Sequence, residues 1–90
     1  MTRTESLGDI RQKLELADRL YDMLAESAKE TNRPIIECHY RARELLAELK
    51  ILVNDVLIQF LEPLTAEESK EQKHAMALSN AINAALSFRH

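Results

Sequence analysis

Leu45-Leu46-Ala47-Glu48-Leu49-Lys50-Ile51-Leu52-Val53-Asn54-Asp55-Val56-Leu57-Ile58-Gln59-Phe60-Leu61 is the stretch on which the fold turns. Leu45, Leu49, Leu52, Val56 and Phe60 recur at the three- and four-residue spacing of one helix face. Leu46, Ile51, Val53, Leu57, Ile58 and Leu61 occupy nearly every remaining face, and a helix that is apolar all round has to be buried all round. Lys50, Asn54, Asp55 and Gln59 interrupt the run, so it falls short of the roughly 18 successive apolar residues of a membrane span. Packing against other helices, those of a second subunit included, is the simpler reading.

Followed towards the N-terminus, the seam continues through Ala42, Cys38 and Ile35 to Pro34, a residue that suits a first helical turn. The second helix is therefore expected over about residues 35–61. Arg33 is biased away from helix by the proline after it, and Asn32 tolerates a left-handed stop, which closes a preceding helix near residue 31. That first helix, about residues 6–31, carries Leu7, Ile10, Leu14, Ala17, Tyr21, Leu24 and Ala28 in a heptad seam, with Ser6 and Asp9 as its capping pair. Leu16, Leu20 and Met23 widen the apolar stripe, so the helix is expected to meet more than one neighbour. Towards the C-terminus, Glu62-Pro63-Leu64 breaks the chain and Thr65-Ala66-Glu67-Glu68 has the form of a capping box. A third helix over about residues 65–88 follows, whose Ala75, Leu78, Ile82 and Ala85 are rich in small side chains that permit close approach.

The fold class expected is all-α: one domain over residues 1–90, three long helices in an antiparallel bundle, completed by homodimerisation. With 90 residues and 46% apolar content, a chain of this size buries roughly two-thirds of its unfolded surface, so a second subunit would add to its core. Lys plus Arg total 12 against 15 Asp plus Glu, a net charge of −3 that argues against a dominant nucleic-acid footprint or a polybasic membrane surface. A single cysteine, Cys38, permits no internal disulfide and sits on the apolar seam, where it reads as a small buried hydrophobe. The N-terminal residues show no apolar run of signal-peptide length, and a cytoplasmic protein is the default expectation.

The residues that carry chemistry are few. Glu71-Gln-Lys-His74 is a Glu-x-x-His spacing that puts a carboxylate and an imidazole on one helix face, and these residues resemble the metal helix of ferritin-like proteins. That local resemblance implies iron or zinc held by Asp55, Glu71 and His74, with Asp55 brought level by a hairpin about Pro63 and the set doubled in a symmetric dimer. Arg33, His39, Arg41 and Arg43 form a modest basic cluster that would serve a nucleic-acid-binding regulator, although Glu37, Glu44 and Glu48 share the region. Ile10-Arg11-x-x-Leu14 resembles the opening of the first helix of all-helical chorismate mutases; the break at Pro34 and Ser27 in place of an arginine depart from that family. The reading best matched to the whole chain is a small non-enzymatic interaction module, such as a regulator, adaptor or chaperone-like protein. Its partner is its own copy or another protein's helix, engaged through Leu46, Val53, Leu57, Phe60 and Leu61.

Overall fold

Local chemistry sets the helix ends. In the computed structural model, which describes residues 6–60 and 64–88, the Ser6 Oγ accepts a hydrogen bond from the Asp9 backbone N–H at 3.1 Å and opens α1, Leu7–Thr31. Asp9 in the first turn and Lys29 in the last complement the helix dipole. At the other end Asn32 adopts φ 54°, ψ 45°, a left-handed conformation that an asparagine accepts more readily than most residues. The Asn32 and Arg33 N–H groups then turn back to the carbonyls of Lys29 and Ala28, at 3.3 and 3.0 Å, which is the Schellman pattern of helix closure.

The second helix begins later than the seam suggested. Pro34 leads into a single 3-10 turn, Ile35–Glu37, and α2 spans Ala42–Leu57 rather than 35–61. The intervening backbone is held by two hydrogen bonds to α1 and one within the connection itself. Ser27 Oγ donates to the Cys38 carbonyl at 3.3 Å, and the Cys38 thiol donates to the Leu24 carbonyl at 3.4 Å. The Arg41 N–H donates to His39 Nδ1 at 3.1 Å. These bonds tuck both Ile36 and Cys38 into the core, two residues apart, a spacing that one α-helical face does not provide. At its C-terminal end α2 tightens into a closing turn, in which Gln59 and Phe60 N–H groups reach the carbonyls of Val56 and Leu57. Leu61 and the Pro63 break lie outside the described residues.

Thr65 opens α3, Ala66–Leu86, through a complete capping box: Thr65 Oγ1 accepts from the Glu68 N–H at 3.1 Å, and Glu68 Oε1 accepts from the Thr65 N–H at 3.2 Å. Thr65→Ala removes one of these bonds and is expected to lower stability by about 1 kcal/mol, read as a shift in the urea midpoint with unchanged helical content of the folded state.

All three helices touch one another, with the more extensive contacts made by α2 to each of its neighbours. Two cross-links fix the direction of α1 and α3. Arg11 meets Glu67 and Glu71, and Asp18 meets His74, so residue numbers rise together and the two helices run parallel. α2, joined to α1 by a short connection, runs against both, and the molecule measures 44 × 21 × 19 Å. Ile10, Leu14, Ala17, Leu46, Val53, Val56, Ala75 and Ile82 form the centre of the core with no exposed surface. The alanines at 17, 42 and 75 let helices approach where bulkier side chains would hold them apart. Among the described residues no helix is long and apolar enough to cross a membrane.

Candidate interaction groove

α1 presents two apolar stripes and the fold uses only one. Ile10, Leu14, Ala17, Leu24 and Ala28 face the core, whereas Leu16, Leu20 and Met23 lie along the flank of α1 with exposures of 46%, 37% and 68%. Opposite them, Leu45 and Leu52 of α2 are only partly covered. Between the two helices runs a groove enclosing about 440 Å³. One wall is Leu20, Met23, Leu24 and Ser27 of α1; the other is Leu45, Glu48, Leu49 and Leu52 of α2, with His39 at one end. The volume lies within the ~300–1,000 Å³ typical of binding clefts. Arg11 and Asp18, which mark the α3-facing side of α1, lie on the opposite flank from this stripe, so the groove occupies the place a fourth helix takes in a four-helix bundle.

The structure distributes the residues expected from the sequence to carry association differently. Leu46 and Val53 are completely buried within the single chain, Phe60 is 9% exposed, and Leu57 is half-buried against the same core. Three helices are enough to cover them, so their apolarity is spent inside the monomer. Leu61 lies outside the described residues. What stays uncovered is Ile51 of α2, at 63%, and Ile58 at its C-terminal cap, at 71%, on the side of the helix bordering Glu48 and Asp55. Of the groove residues of α1, Leu20 and Met23 were signalled by the widened stripe they share with Leu16; pairing them with Leu45 and Leu52 needed the tertiary structure.

The polar candidates part company as well. Glu71 and His74 are directed to α1: Glu71 Oε1 accepts from Arg11 Nε at 3.2 Å, and His74 Nε2 lies 2.7 Å from Asp18 Oδ2. Asp55 stands exposed on α2, and the described residues contain no cluster of three His, Cys, Asp or Glu side chains able to hold a metal ion. α2 and α3 do form a hairpin, but Asp55 does not join Glu71 and His74 because those two residues occupy the α1-facing side of α3. They make a polar seam across α1 and α3 whose members other than Glu71 are partly exposed, which limits its worth for stability.

Of the basic cluster, Arg41 is bound to its neighbour Glu44 at 3.2 Å. Hydrogen bonding to Glu44, then the charge of that carboxylate, pushes the Arg41 guanidinium above its ordinary pKa, with a smaller push from Glu48. The His39 ring lies against Tyr40 with centroids 4.3 Å apart, while Arg33 and Arg43 point into solvent. Cys38 is buried, as its place on the seam implied.

The fold defines the class, an all-helical bundle of three helices with an open groove between the first two. Comparison with protein-family models, with curated proteins and with solved structures finds no match to this chain.

Proposed function

We propose that this protein is a helical protein–protein interaction module, a small regulator, adaptor or chaperone-like chain that receives an amphipathic helix in the groove between α1 and α2. The observation that supports this reading is the groove itself: apart from Ser27, His39 and Glu48 its walls are leucine and methionine, and no segment of the described chain fills it. Exposed apolar surface that is concave and continuous on a small bundle is the form in which helix-in-groove recognition is built. Met23, flexible and 68% exposed, is the kind of side chain that adapts to an incoming apolar face. The helix received belongs to a second copy of the chain or to another protein; binding in either case is driven by apolar burial rather than by covalent chemistry.

The test is a neutral amphipathic peptide of about 18 residues, with leucines at i, i+3, i+4 and i+7 and glutamine or serine elsewhere. It is expected to bind the wild-type chain in fluorescence anisotropy, and Met23→Asp is expected to weaken it at least tenfold by placing a charge on the groove wall. Because Met23 is exposed, the same variant is expected to unfold within about 0.5 kcal/mol of wild type. Equal binding to both proteins, or none to either, contradicts the proposal.

A further inference from the structure

From the charges bordering the groove we infer that its occupant is a cationic amphipathic helix of another protein, one whose apolar stripe is flanked by lysine or arginine. The inference rests on the groove being a helix-docking site and adds the chemistry of the partner. Glu44, Glu48 and Asp55 recur on α2 at i, i+4 and i+11, within about 40° of one another around the helix axis, beside the groove residues Leu45 and Leu52. On the opposite bank Glu26 and Glu30, i and i+4 on α1, border Met23. All five carboxylates are on exposed residues. Among the described residues only Glu44 of the five has an ion pair, with Arg41. The cationic groups around the groove are Arg19, next to Leu20 and one turn before Met23, Lys13 further towards the N-terminus of α1, and Arg41 beside His39. Arg19 borders the same α1 stripe as Glu26, so along its length the borders carry more carboxylates than cations.

The position of Glu48 and the net charge of the chain favour a different protein over a second copy. A two-fold dimer formed through this groove places residues at its centre against their own symmetry mates. Glu48 lines the groove between Leu45 and Leu52, so self-association brings two carboxylates together at the middle of an apolar contact, in a chain already carrying net charge −3. A helix with basic borders meets the opposite situation. Its lysine stems extend over Leu45, Leu52 and Met23 while their ammonium groups reach Glu48, Asp55 and Glu26.

The experiment compares three peptides with the same leucine stripe, bordered by lysine, by glutamine or by glutamate, against the intact wild-type chain at low and at physiological salt. The lysine-bordered peptide is expected to bind about tenfold tighter than the glutamine-bordered one at low salt, with the advantage shrinking as salt rises and the glutamate-bordered peptide weakest. In the double variant Glu48→Lys, Asp55→Lys the order is expected to reverse. If the glutamine-bordered peptide binds, and Met23→Asp abolishes that binding, but border charge changes nothing, the partner inference is overturned while the groove reading stands. If no peptide binds, both fall. A chain that sediments as a dimer at micromolar concentration, and as a monomer after Met23→Asp, assigns the groove to a second copy and overturns the inference.

Discussion

Leu46→Ala is expected to lower the unfolding free energy by about 2–5 kcal/mol, because Leu46 has no exposed surface and the helices around it cannot collapse fully onto the space left. In a domain of this size each kcal/mol moves the melting temperature by about 4–8 °C, so the shift is expected to be at least about 8 °C. Leu46 belongs to the core of the single chain, and the loss is therefore expected to be the same at micromolar and at hundred-micromolar protein, measured by urea unfolding at both. Were Leu46 instead buried between subunits, the midpoint would rise with protein concentration and the variant would change that dependence. A loss below about 1 kcal/mol contradicts the packing described.

The second large effect comes from adding volume rather than removing it. Ala75 is fully buried on α3 in the same cluster as Leu78 and Ile82, so a larger side chain there has no solvent to extend into. Ala75→Leu is expected to cost about 1–3 kcal/mol, since the added side chain has to push α3 outward or take an unfavourable rotamer. Moving α3 outward also stretches the polar seam, so the His74 and Asp18 resonances are expected to shift in the variant although neither residue is changed. Wild-type stability in Ala75→Leu would mean that α3 packs more loosely than its buried alanine indicates.

The parts of this fold legible in the sequence are those decided by neighbours along the chain. Ser6 with Asp9, Asn32, and Thr65 with Glu68 announced helix ends because capping joins residues three or four apart, and each performs that role. The three helical segments were legible for the same reason, since a seam of spacing three and four is local information. The start of α2 was not. Ile35, Cys38 and Ala42 fit a helical seam as well as they fit the turn actually formed, and the bonds that decide between them come from Ser27 and Leu24 on another helix. The candidate site was half legible. The excess of apolar residues on α2 was plain, but which of them stay uncovered depends on how many helices surround α2. Three suffice for Leu46 and Val53 and leave Ile51 and Ile58 outside. Glu71 and His74 pointed to one face of α3, as their spacing required, yet only the parallel arrangement of α1 and α3 sets Arg11 and Asp18 before them.

The most direct test is an amide chemical-shift map of the isotope-labelled chain titrated with the glutamine-bordered peptide. The expected shifts run along α1 from Leu20 to Ser27 and along α2 from Leu45 to Leu52, with His39 at the end of the track and the outer face of α3 unmoved. Shifts centred on α3, or scattered over all three helices without saturating, would contradict the assignment of the groove as the site where this protein receives a helix.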